Sequence, residues 1–113
     1  MNESIQRGQV YWVMLDPVRG SETAKTRPCV VLSANEINRR RNTVVIVPLT
    51  STSAPIHFPL VINVPSAGIG SKARSEQIRS VDKKRLTSLM GQISDSDLSD
   101  ISHGVAKVLG ITR

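Results

Sequence analysis

A chain of 113 residues with 39% apolar content has room for one domain and one compact core, and little more. No apolar run approaches the roughly 20 residues that span a bilayer, the opening Met1-Asn2-Glu3-Ser4 is polar where a signal peptide is apolar, and the single cysteine, Cys29, excludes an internal disulfide, so the expected location is the cytoplasm. The net charge of +6 is concentrated in residues 19–85, where the only acids are Glu22, Glu36, Glu76 and Asp82, a balance that suits a nucleic-acid partner as well as an ordinary basic surface.

In chain order, four short segments rich in valine and isoleucine predict strands at 9–15, 28–33, 42–49 and 58–64. A weaker extended segment runs over 73–81. The runs Val30-Val31-Leu32 and Val44-Val45-Ile46-Val47 are continuously apolar, which predicts strands covered on both faces. Pro48, with no N–H for a ladder, predicts the end of the third strand. Residues 83–90 predict a short helix. Beyond them the period changes. Leu98, Ile101, Val105 and Val108 recur three and four apart, as on an amphipathic helix. Ser94 suits its N-cap, Asp95 and Asp97 its positive end, and Gly110 its stop. Strands first and a helix last predict a mainly β, α+β fold: an antiparallel barrel or sheet with a helix packed on it. Two connections, 16–27 and the polar 50–57, are long for so small a domain, and such loops tend to carry function.

Several patterns carry nothing. Gly68-Ile69-Gly70-Ser71-Lys72 lacks the spacing of a phosphate loop and reads as a turn. His57 and His103 are far apart in sequence and Cys29 sits among strand residues, so no metal site is expected and a nucleophilic Cys–His pair is disfavoured. Tyr11 and Trp12 point to opposite faces of one strand, which with Phe58 makes a weak stacking platform for bases. What remains is a set of polar groups at strand ends. Arg27 precedes Pro28 and a buried strand, and Thr50 and Ser51 close another. Arg74, Glu76 and Arg79 alternate in the weak extended segment, so that Arg74 and Glu76 are expected on one face. Each of these alone reads more often as a solvated surface residue.

Together they match a family. Arg7-Gly8-Gln9-Val10-Tyr11, followed by Gly20-Ser21-Glu22 and Arg27-Pro28, resembles the N-terminal signature of the MazF/PemK (Kid) toxin endoribonucleases. The strand ending in Thr50 is similar to the family's third landmark, and Glu76-Gln77-Ile78-Arg79-Ser80-Val81-Asp82-Lys83-Lys84-Arg85-Leu86 to its C-terminal signature. The resemblance covers about residues 6–110 in the expected order. It implies one toxin domain over 1–113, an SH3-like antiparallel β-barrel with a C-terminal helix, a homodimer, an acidic antitoxin, and cleavage of single-stranded RNA with no cofactor. It also implies catalytic roles for Arg27, Thr50, Arg74 and Glu76, with Glu22 in the loop beside them. Glu76 stands where the PemK/Kid branch has an aspartate, and Ser21 where it has a histidine. Lys25, Arg39, Arg40, Arg41, Ser51, Gln77 and Arg79 are the candidates to contact RNA around them.

Chemistry without a metal points to attack by an RNA 2′-hydroxyl on the adjacent phosphate. That route needs a base, cations for the phosphorane charge and a proton for the leaving 5′-oxygen. Glu76 and Glu22 are both eligible bases, Arg27 and Arg74 suit the phosphate, and the proton donor stays open. Two other readings remain: a CcdB-type toxin that binds a topoisomerase and cuts nothing, and a basic RNA-binding module without catalysis.

Overall fold

The computed structural model describes residues 4–15, 25–51 and 55–111. Among them the elements run β1 (Gln9–Leu15), β2 (Lys25–Val31), α1 (Asn35–Arg40), β3 (Thr43–Thr50), β4 (Val61–Asn63), β5 (Lys72–Arg74), β6 (Arg79–Asp82), β7 (Leu86–Gln92) and α2 (Asp95–Val108). Single 3-10 turns occupy Pro65–Ala67, Ser75–Gln77 and Lys83–Arg85. The strand pairings are antiparallel, in the order β4-β5-β3-β2-β1-β7, with β6 beside the first half of β3. The β-rich α+β fold with its late helix is therefore as expected, in the form of an open sheet with β4 and β7 at its ends.

Continuous apolar runs do mark two-sided burial. Cys29 and Val31 of β2 join Val13, Val44, Ile46 and Val81 on one side. Val30, Leu32, Val47 and Leu49 face the other way, onto Ile62, Val64, Ala73 and the α2 residues Ile101 and Val105. This burial explains why Pro48 does not end β3, which continues to Thr50. Burying a Val or Leu contributes roughly 1.5–3 kcal/mol, whereas one ladder hydrogen bond is worth about 1 kcal/mol. What Pro48 does break is the edge. β6 pairs with Thr43–Ile46 and β5 with Leu49 and Thr50, and neither pairs with Pro48. The expected single extended segment 73–81 is accordingly split into two strands by the turn Ser75–Gln77.

Two further expectations give way. Residues 83–90 form one 3-10 turn and then β7, not a helix. Thr87, Ser88 and Gly91 are weak helix formers, and pairing with β1 satisfies backbone groups along both strands. Conversely α1 was not legible as a helix, because it is anchored by polar contacts rather than an apolar stripe. Its buried Asn38 donates from Nδ2 to the Ser33 carbonyl (3.0 Å) and accepts from Ser33 Oγ (2.5 Å), which itself accepts from Val45 N (3.0 Å).

At α2, Ser94 accepts from Asp97 N at 3.1 Å as an N-cap. Gly110, at φ 73°, ends the helix, with Ile111 N donating to the Ala106 carbonyl. Asp97 is buried rather than solvated, and takes both Ser66 N (2.9 Å) and Ser66 Oγ. No helix among the described residues is long and apolar enough to cross a membrane.

Candidate active site

Strand alternation places the site. Two residues before buried Cys29, Arg27 lies on the same face of β2; two and four after buried Ile46, Pro48 and Thr50 lie on that face of β3. Arg27 pairs with Val13 of β1, so Leu15 follows on the same side. The β2–β3 register pairs Cys29 with Pro48; continued by two residues it brings Arg27 level with Thr50. On the far edge Leu49 pairs with Ala73, which carries Arg74 to the level of Pro48. The result is a cavity of about 340 Å³ lined by Leu15, Arg27, Pro48, Leu49, Thr50, Arg74 and Gln77. Leu15 and Pro48 supply apolar lining on this face, and Arg27 and Arg74 bring two guanidiniums to one space.

Arg74 and Glu76 do not share a face by alternation, because Ser75–Gln77 is a 3-10 turn closed by Ile78 N donating to the Ser75 carbonyl at 3.3 Å. The turn nevertheless brings them together, with Arg74 Nη2 4.0 Å from Glu76 Oε2 and both side chains about a third exposed. That distance is an ion pair but not a direct hydrogen bond. An exposed pair of this kind adds at most about 1 kcal/mol to stability, so fold maintenance is a poor account of it. Thr50 is buried at the cavity edge.

Cys29 lies under this lining, donating weakly from Sγ to the Arg27 carbonyl at 3.6 Å. Burial pushes its thiol up to about 12 despite the lowering influence of the Arg79 and Arg27 guanidiniums. A thiol held neutral is no nucleophile, so the site's chemistry rests on its oxygens and guanidiniums.

The remaining candidates divide by position. Lys25, exposed, pairs with Leu15 at the start of β2, and Ser51, exposed, follows Thr50, so both stand at the cavity rim. Gln77 is in the lining, and Arg79, exposed, begins β6 opposite Ile46. Glu22 lies outside the described residues. Arg39, Arg40 and Arg41 are not brought to the cavity. They close α1, just before Thr43, at the opposite end of β3 from Thr50. Seven residue steps at ~3.3 Å separate those ends by about 23 Å. Arg40 pairs there with Glu36 at 3.4 Å in the open. The sequence reading passed over Leu15 and Pro48; counting alternate residues from Val13 and Ile46 would have found both.

A larger cavity of about 420 Å³ lies between β4 and α2, lined by Ile56, Phe58, Val61, Ile62, Asn63, Asp100 and His103. Its walls are mainly apolar and its carboxylate would repel a phosphate, so the smaller, doubly cationic cavity is the better phosphate site. Among the described residues no group of three or more His, Cys, Asp or Glu side chains could hold a metal ion.

Two arginines and a threonine lining one cavity, with a carboxylate beside them, are the groups that suit a phosphodiester. Comparison with known proteins agrees. The family described as PemK-like, MazF-like toxin of type II toxin-antitoxin system matches residues 6–109, and the chain belongs to it. It is 33% identical over 109 residues to Endoribonuclease MazF9 of Mycobacterium tuberculosis, covering 89% of this chain and 92% of that protein. Among solved structures it resembles an endoribonuclease from a mycobacterial species (TM-score 0.80, 26% identity, 98% of this chain and 96% of that one). It also resembles a mycobacterial endoribonuclease in complex with its cognate antitoxin (TM-score 0.77, 25% identity, 96% of this chain and 98% of that one).

Proposed function

We propose that this MazF-like toxin endoribonuclease cuts single-stranded RNA by internal attack of a 2′-hydroxyl, with its own arginines supplying the positive charge. The observation that carries the reading is the convergence of Arg27, Thr50, Arg74 and Gln77 on one cavity, with Glu76 4.0 Å from Arg74. Arg27 and Arg74 hold the scissile phosphate and stabilise the phosphorane charge. Thr50 orients a phosphate oxygen. Glu76 takes the proton from the 2′-hydroxyl as the 2′-oxygen–phosphorus bond forms and the bond to the 5′-oxygen breaks. The leaving 5′-oxygen takes up one proton, which balances the step and yields a 2′,3′-cyclic phosphate and a 5′-hydroxyl. Lys25, Ser51 and Arg79 flank this centre as RNA contacts, and Arg39–Arg41 extend the basic track beyond it. The test is cleavage of an RNA oligonucleotide in EDTA, and of the same oligonucleotide with a 2′-deoxy residue on the 5′ side of the cut. Cleavage in EDTA with complete protection by the deoxy residue is expected; a cut at the deoxy site refutes 2′-hydroxyl attack.

The partner of a type II toxin is its antitoxin, and here it is proposed to be an acidic segment laid over the Arg27–Arg74 cavity. Its carboxylates would take phosphate positions, so that antitoxin and RNA exclude one another. The CcdB-type alternative is disfavoured by the cavity itself, since topoisomerase binding needs no paired guanidiniums. Residues 1–113 are read as one domain, a reading supported by the single sheet that joins β1 to β7, and a cytoplasmic location is proposed with it. A homodimer is supported by β7, which pairs only with β1 among the described strands and leaves Leu89, opposite Tyr11, and Met90 exposed.

A further inference from the structure

Gly104 is buried in the middle of α2, where glycine costs about 0.5–1 kcal/mol relative to alanine. Close approach explains it. A Cβ at this position would stand 2.2 Å from Ile62 Cδ1, 3.0 Å from Ser75 Oγ and 3.1 Å from the Pro59 carbonyl oxygen. Ser75 is equally unusual. It is wholly buried, and its Oγ is the buried side-chain polar atom without a hydrogen-bond partner among the described residues. Leaving a buried hydroxyl unpaired costs about 1–3 kcal/mol, a penalty alanine would avoid. Two locally unfavourable choices therefore meet face to face, and the serine is the residue between Arg74 and Glu76.

We infer that Ser75 and Gly104 are positioning residues: the Ser75 hydroxyl seats in the recess that Gly104 leaves in α2, and this fixes the 3-10 turn that aims Arg74 and Glu76 at the scissile phosphate. The inference rests on the catalytic reading of that pair. Neither Ser75 nor Gly104 lines the cavity, so both act through the turn. A guanidinium carried on so short a turn moves with its backbone, and displacing a reacting group by ~1 Å can cost on the order of 10²-fold in rate.

The test exchanges one atom for another. Gly104→Ala overlaps most severely with Ile62 Cδ1, and Ile62→Val removes that atom, leaving the new methyl pressed against Ser75 Oγ at 3.0 Å and the Pro59 carbonyl oxygen at 3.1 Å. Relative to Ile62→Val alone, the Gly104→Ala/Ile62→Val protein is expected to lose about 10- to 100-fold in kcat, with KM for RNA changed less than about threefold. Adding Ser75→Ala vacates the space the methyl needs and is expected to restore kcat to within about threefold of Ile62→Val, at unchanged KM. Full activity in the double variant, or no rescue in the triple variant with a cooperative melt retained, overturns the inference. If the double variant does not fold, Ser75→Cys applies the same pressure from the turn; an unaltered kcat there overturns the inference equally. Arg74→Ala is assayed alongside: if it retains kcat, the catalytic reading itself is at fault, whereas its inactivity beside a fully active double variant condemns the positioning role alone.

Discussion

Arg74 and Glu76 face each other at 4.0 Å across a single 3-10 turn, a cation and a carboxylate presented to the same cavity edge. The spacing is too long for a hydrogen bond that would commit the carboxylate to the guanidinium. It is short enough for both to touch one nucleotide, the cation at phosphate and the carboxylate at the neighbouring 2′-oxygen. Opposite them Arg27 stands on β2, held by its pairing with Val13.

From this arrangement, Arg27→Ala and Arg74→Ala are each expected to lower kcat on the order of 10²-fold or more. Thr50→Val, which keeps the shape and removes the hydroxyl, is expected to cost less. The measurement is single-turnover cleavage of a fluorescent RNA, with Tm recorded for every variant. Near-wild-type cleavage by a folded Arg27→Ala protein would remove the central cation from the mechanism.

Cys29 yields a pH prediction. Burial holds its thiol neutral up to about 12, against an ordinary value of 9.0. Between those values the unfolded chain releases a proton that the folded chain retains, so this group's stabilisation is complete below pH 9 and drains away as pH rises toward 12. The Tm of the wild type minus that of Cys29→Ala is therefore expected to be constant from pH 6 to 8 and to shrink above pH 9. A difference that stays constant to pH 11 contradicts the shift. Cleavage by Cys29→Ala is expected within about threefold of wild type, since a neutral thiol contributes no nucleophile.

Much of this geometry was legible in the chain, and the failures have physical causes. The apolar runs around Val30 and Val45 announced buried strands, and Thr50 follows as the end of β3; Arg27, expected just before its strand, is instead the third residue of β2, which pairing with β1 extends back to Lys25. The pairing of Arg74 with Glu76 was expected for a wrong reason, as alternation in a strand, when a turn produces it. That turn begins level with Pro48, where β5 and β6 both leave the edge of β3, and local patterning cannot see so distant a relationship. The same holds for β7, whose strand state is imposed by β1 across the sheet. The distance between Arg39–Arg41 and the cavity was legible too, since the triplet lies just before β3 and Thr50 closes it, at opposite ends of one strand.

That distance separates binding from chemistry. Changing Arg39, Arg40 and Arg41 together to glutamate is expected to raise KM for a long RNA and to flatten its dependence on salt. At saturating RNA, kcat is expected to stay within about threefold. Measurements at several salt concentrations check both; an unchanged KM and slope would put the triplet outside the RNA path.

The exposed edge gives the fourth prediction. Leu89 is 53% and Met90 45% exposed on β7, and the adjoining β1 exposes Trp12 at 37% and Met14 at 42%. Light scattering of the wild type at micromolar concentration is expected to give twice the chain mass. Leu89→Lys/Met90→Lys is expected to halve it, because charges on an unpaired edge oppose pairing with another chain. A wild-type monomer would refute the dimer, and a dimeric double variant would move the interface elsewhere.

The support that α2 gives the turn at Ser75–Gln77 has a consequence for the order of events in a cell. Ribosomes extend chains from the N-terminus, so Arg27 through Gln77 are made before residues 95–108. Until the helix arrives, Ser75 has no Gly104 to seat in, and the partly buried turn has no partner surface on that side. The nascent chain thus carries its arginines and carboxylate without a formed site. On the inferred positioning role, cleavage is expected only once α2 has been translated and has docked onto the turn.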